Sequence, residues 1–197
     1  MFWPAQRAGD RGGINMTQAQ KTILTICSLF FFFATMPRSL YAIDSDLTRQ
    51  TMLGLKGVAV AVENTQPNIQ KYVQRFGLTR DQLQKDIEQR LTKAGITVLN
   101  QEKWLQTSGR PVLYVIVNTH EYEKYWYAYT IIVDFRQIAT LEANPDMKTL
   151  ASTWSMNMAG IANIGTLNTI KDNVNILVDR FIDACNSANR KEPKSMK

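Results

Sequence analysis

Catalysis at a protein surface needs a nucleophile with its base, an acid beside a base, a metal-ligand cluster or a cradle for phosphate, and this chain offers few starting points for any of them. His120 is the only histidine, so no site that uses two imidazoles, for proton relay or for metal, can be built. Its neighbours in Asn118-Thr-His-Glu-Tyr-Glu-Lys-Tyr-Trp126 include Glu121 and Glu123, a poor ligand set on what reads as the connection between two strands. An exposed loop histidine is the expectation there. Serines are plentiful, but neither a Gly-x-Ser-x-Gly elbow nor a Ser-x-x-Lys pair occurs, and a serine nucleophile needs a positioned base. Asp134 and Glu142 fall on one face of one strand, roughly 27 Å apart at ~3.4 Å per residue, too far for a glycosidase pair held at ~5 to 9.5 Å. Glu121 and Glu123 are close but lack an apolar pocket to raise a pKa. Gly54-Leu-Lys-Gly57 is too short for a phosphate loop and precedes a strand, where such a loop follows one. The sequence therefore assigns no catalytic residue, no cofactor and no metal ligand, and reads as a non-enzymatic protein.

The densest chemical feature is aromatic. Tyr122, Tyr125, Trp126, Tyr127 and Tyr129 lie within one short stretch. Tyr127 and Tyr129 fit the core face of a strand, with Tyr125 and Trp126 clipping a hairpin through cross-strand pairs. Alternatively, Tyr122, Tyr125 and Trp126 stand exposed and offer a protein partner or a glycan large contact area with polar handles.

The elements around these residues follow from periodicity. Val58, Val60 and Val62 alternate with Gly57, Ala59 and Ala61 as a strand. Asn64 to Gly77 reads as loop with a helical turn, and Ile43 to Thr51 as a polar lead. Thr79-Arg-Asp-Gln82 has capping-box spacing, Leu83, Ile87 and Leu91 share a face, and Gly95 supplies a stop, which predicts a helix over 80–94. A short strand over Ile96–Leu99 and a helical turn over Gln101–Gln106 follow. Val112–Val117 is a strand. Tyr125–Glu142 is a long one, with Tyr127, Tyr129, Ile131, Val133, Phe135, Ala139 and Leu141 inward and Thr130, Asp134, Arg136, Thr140 and Glu142 on a wet face. Asn144-Pro145-Asp146 reads as a turn, Leu150, Trp154, Met156 and Met158 as the inward side of a last strand, and Gly160 to Gly165 as its break. The stripe Ile170, Val174, Leu177, Val178, Phe181, Ile182, Cys185 predicts a closing helix over about 166–188. The order β-α-β-β-β-β-α gives an α+β fold with two layers, a mostly antiparallel sheet and both amphipathic helices on one face.

Ahead of this domain, Lys21 is followed by the uncharged apolar run Thr22–Met36, then Pro37 and Leu40-Tyr41-Ala42. That is the order of a secretory signal, and the run is shorter than the ~20 residues a spanning helix needs. The sequence thus divides into a signal over 1–42, whose true start is Met16, a domain over 43–189 and a charged tail over 190–197. Removing the signal leaves about 155 residues, enough for one core. It also takes Cys27, so Cys185 is the lone thiol on an apolar helix face. Arg7, Arg11, Lys21 and Arg38 leave against Asp10, which removes half of the +6 net charge and with it the case for a nucleic-acid partner.

The pattern Gly57-Val-Ala-Val-Ala-Val, Leu78-Thr-x-x-x-Leu83-x-x-x-Ile87-x-x-x-Leu91-x-x-Ala-Gly95-Ile and Leu113-Tyr-Val-x-Val resembles small exported bacterial proteins of uncharacterised function. More distantly, it is similar to the α+β amino-terminal domain of the Tol-Pal translocation protein TolB, over about residues 53–188. That resemblance implies an envelope-assembly module but transfers no functional residue, and the propeller of that family is absent. The sequence-based expectation is an exported periplasmic or envelope binding module that holds an envelope protein through a sheet edge or the aromatic hairpin, with no permanent membrane span. The alternative is a small periplasmic hydrolase or ligand carrier. N-terminal sequencing of the mature protein should begin at Ile43, and mass spectrometry of whole cells should find no peptide from residues 1 to 15.

Overall fold

A computed structural model describes residues 44–190; the leader with its cleavage site, and the tail from Lys191 onward, lie outside the described residues. In chain order the elements are α1 (Asp46–Gln50), β1 (Ala59–Val62), a 3-10 turn (Pro67–Ile69) leading into α2 (Gln70–Val73), α3 (Arg80–Lys93), α4 (Gln101–Gln106), β2 (Val112–Glu123), β3 (Trp126–Leu141), β4 (Asn144–Asn163) and α5 (Asn168–Asn189). The four strands form one sheet in the order β1-β2-β3-β4. β1 runs parallel to β2, because α2 to α4 carry the chain back between them, and β2, β3 and β4 form an antiparallel meander. The fold is α+β, as the sequence predicts, with a mixed sheet.

Both long helices cover one face. On α3, Leu83, Ile87 and Leu91 are buried, and on α5 Ile170, Val174, Leu177, Val178, Phe181, Ile182, Ala184 and Cys185 are. They share one core with Val60, Val62, Leu113, Val115, Val117, Tyr127, Tyr129, Ile131, Val133, Phe135 and Trp154, the side chains that period-2 alternation sends inward. α3 lies against β1, and α5 against β3 and β4. Two ion pairs join the helices, Arg90 to Asp179 at 2.8 Å and Lys171 to Asp86 at 2.6 Å. Partly exposed pairs of this kind add little, ~0 to 1 kcal/mol, so apolar burial holds the layers together.

The amino-terminal lead is more structured than a polar segment need be. Ser45 caps α1, and Asp44 accepts from Arg49 Nε and Nη2 at 2.6 and 2.7 Å and from Trp154 Nε1 at 3.0 Å. The guanidinium holds the Asp44 carboxyl below its usual range, and the buried indole N–H on β4 is thereby satisfied.

Several sequence expectations are corrected. Gln82 does not complete the capping box: Thr79 accepts from Gln82 N, but the Gln82 side chain donates to Asp86 one turn ahead. Ile96–Leu99 is not a strand but a single parallel bridge, Val58 to Val98. The β3–β4 turn is Glu142-Ala143, and Asn144-Pro145-Asp146 belongs to β4. The β3–β4 pairing slips by one residue at Thr153, which turns Leu150, paired with Ile138, to the face opposite Trp154, and Leu141 stands at the end of its strand, so both are exposed instead of inward. Asp134 is buried instead of wet, with its carboxylate on Arg136 at 2.8 Å. Gly160 does not break the last strand. It pairs with Tyr129, and a Cβ there would collide with the Tyr129 ring and hydroxyl, so the glycine is a packing requirement of a continuous strand.

Gly160→Ala forces Tyr129 aside and breaks the 2.7 Å bond its hydroxyl accepts from Asn173 Nδ2. It should destabilise the domain by about 1 to 3 kcal/mol, read as a melting temperature lower by roughly 3 to 10 °C in differential scanning fluorimetry.

Candidate functional site

β2 and β3 stay paired as far as Glu123 opposite Trp126, which leaves Lys124 and Tyr125 as a two-residue turn. His120, expected on a connecting loop, therefore lies on β2 and is paired with Ala128. A register irregularity between Glu121 and Glu123 makes Tyr122 the extra residue of a bulge. Tyr125 has φ of +73°, while Lys124 stays at negative φ. A positive φ at the second central position alone is the pattern that turns give to glycine or asparagine. A tyrosine there carries a left-handed backbone cost of roughly 1 to 2 kcal/mol.

The aromatics at the tip stand half-exposed. Tyr125 is 45% exposed, Tyr122 48% and Trp126 41%. Tyr125 N donates to Glu121 Oε1 at 3.4 Å, Tyr125 O accepts from Ile164 N at 3.0 Å, and Lys124 Nζ lies 5.1 Å from the Tyr125 ring centroid. Tyr127 and Tyr129 are buried, as expected for the core face. Tyr127 stands edge-on to Tyr72 with centroids 6.2 Å apart, and burial pushes its hydroxyl above the ordinary range.

A fourth apolar residue joins the tip. Trp126 is paired with Asn163, and Ala128 with Ile161, so Trp126 and Ile161 are diagonal neighbours on the face of the sheet opposite α3 and α5. Ile161 is 59% exposed. Reading Gly160 as a strand break hid it; continuing the inward series Trp154, Met156, Met158 to Gly160 and Ala162 places Ile161 outward. The candidate site is thus the end of the sheet formed by Tyr122, Tyr125, Trp126 and Ile161, flanked by His120, Glu121, Glu123 and Lys124.

Elsewhere, open cavities occur among the described residues, and two of them bear on chemistry. One, of about 520 Å³, lies between α3 and α5, and its Asp86 and Asp179 carboxylates are paired with Lys171 and Arg90. The other, of about 400 Å³, is lined by Lys56, Thr107, Ser108 and Gln137 among others. Gln137 is already engaged there with Thr51 O and Thr153 Oγ1. Among the described residues no group of three His, Cys, Asp or Glu side chains could share a metal ion, and no helix is long and apolar enough to cross a membrane. Comparison of the chain with protein-family models, with curated proteins and with solved structures finds no match.

Cys185 is set apart from any surface chemistry. Its Sγ lies 3.4 Å from Met52 Sδ in the core, and burial pushes the thiol up to about 12. The thiolate is the reactive form. Native protein at pH 8 should therefore leave Cys185 untouched by a thiol-specific reagent over hours, and full reaction should follow only on adding denaturant.

Proposed function

We propose that the chain is an exported, non-enzymatic binding module that holds an envelope protein partner against the aromatic end of its sheet, where Tyr122, Tyr125 and Trp126 are joined by Ile161. The observation that carries this reading is the backbone of Tyr125. A large aromatic occupies a turn position that glycine fills without strain, and its side chain stays half-exposed there. Residues held in sparsely populated backbone regions concentrate at functional sites, and tyrosine and tryptophan lead among residues that dominate binding energy. The sheet face opposite α3 and α5 supports the reading, because Trp126 and Ile161 extend the patch from the turn onto it. Export rests on the signal-like order of residues 21–42 and the envelope on the resemblance described above.

Two substitutions separate binding from packing. Tyr125→Gly relieves the strain, so the variant should be at least as stable as the parent, by up to about 1 kcal/mol, yet should lose the protein that co-purifies with the parent from a periplasmic extract. Trp126→Ala should likewise lose that protein while lowering the melting temperature by only a few degrees. Retention of the same stoichiometric partner by both variants would overturn the proposal, as would a collapse in the stability of Trp126→Ala, which would make it a packing residue. A small molecule in place of a protein partner would favour the ligand-carrier alternative.

A further inference from the structure

The two edges of the sheet are treated differently. β1 has four residues, and the chain around Val98 shields its entrance, with Val58 N donating to Thr97 O and Leu99 N to Val58 O. β4 has 20 residues and, among the described strands, a neighbour on one side only. Proteins blunt such edges with lysine, proline, bulges or shortness. β4 gathers its charge and its proline before Thr149, and from Thr149 to Asn163 it carries no charged side chain. Its pairing with β3 is free of irregularity from Trp154 to Asn163, so the exposed ladder is straight over ten residues.

We propose that this edge pairs with the same edge of a second copy, making a two-fold symmetric dimer with one continuous eight-stranded sheet. The strand complements itself. In antiparallel self-pairing about Asn157, Trp154 faces Gly160 of the partner copy, Ser155 faces Ala159 and Met156 faces Met158, so large residues meet small ones and half-buried thioethers meet each other. No like charges are brought together.

The helix above the strand allows this pairing. Asn173 reaches Tyr129, which is paired with Gly160, and Phe181 packs on Trp154, so α5 runs antiparallel to β4. Strands spaced ~4.8 Å apart put two helices that each straddle β3 and β4 about 10 Å from one another, which is helix-packing distance.

Sedimentation velocity on the full chain tests this. The parent should dimerise at micromolar concentration. Asn157→Lys, an exposed position in the monomer, sets two ammonium groups beside the axis and should raise the dissociation constant at least ~10-fold. Ala159→Lys, a second exposed position on the same strand, should do the same. Tyr125→Gly should leave it unchanged, which keeps this inference separate from the partner-binding reading. A monomer at ~100 µM, or a dimer indifferent to both Asn157→Lys and Ala159→Lys, would overturn the proposal.

Discussion

Phe181 touches both Phe135 and Trp154, with ring centroids 5.6 and 5.5 Å away, and this three-ring contact fastens α5 to the two longest strands. Offset and edge-on ring pairs contribute ~0.5 to 1.5 kcal/mol each beyond the area they bury. The larger effect is positional. Once α5 is fixed over β3 and β4, the inward face of each strand is decided, and a one-residue slip would send every buried side chain to the solvent. The burial of Tyr127 and Tyr129, the glycine at 160 under Tyr129, and the outward aim of Trp126 and Ile161 all follow from that register. Asp44 extends the same anchor to the amino-terminal lead through the Trp154 indole.

The parts of the fold that were legible in the sequence are those where one periodicity dominates. α3 and α5 announce themselves by apolar residues every three or four positions between clear stops, and the β2 and β3 valines, isoleucines and aromatics alternate without interruption. Legibility fails where a tertiary contact overrides a local preference. Gly160 reads as a breaker because a lone glycine carries no information about the tyrosine that requires it. Asn144-Pro145-Asp146 reads as a turn by composition, yet the strand pairing closes two residues earlier. Asp134 reads as wet by charge, and Arg136 two residues along makes its burial tolerable. The parallel pairing of β1 with β2 depends on which side of the sheet the intervening helices take, and no local pattern records that.

The candidate site was half legible for the same reason. Tyr122, Tyr125 and Trp126 stand out by type, but their exposure depends on where the two-residue turn falls, and that is set by the pairing of Glu123 with Trp126. Ile161 belongs to the site only because β4 continues through Gly160. The strain at Tyr125 is invisible in sequence altogether. A left-handed φ arises from the turn geometry that the flanking strands impose, and the tyrosine accepts it.

The aromatic end and the β4 edge meet in one arrangement. Both lie on the meander, and the aromatic end closes the β4 edge at Asn163. In an antiparallel pairing about Asn157 the two sheet faces opposite α3 and α5 join into one surface, and Ile161 of one copy comes opposite Thr153 of the other. The two Ile161 side chains are then about eight residues apart along the strand direction, roughly 27 Å at ~3.4 Å per residue. A dimer of this kind presents two aromatic patches on the same face, pointing to opposite ends. A partner with two matching segments at that spacing would bind the second as an intramolecular event, gaining avidity without any new contact. Modest individual patches, each little more than four half-exposed side chains, are then sufficient for stable capture.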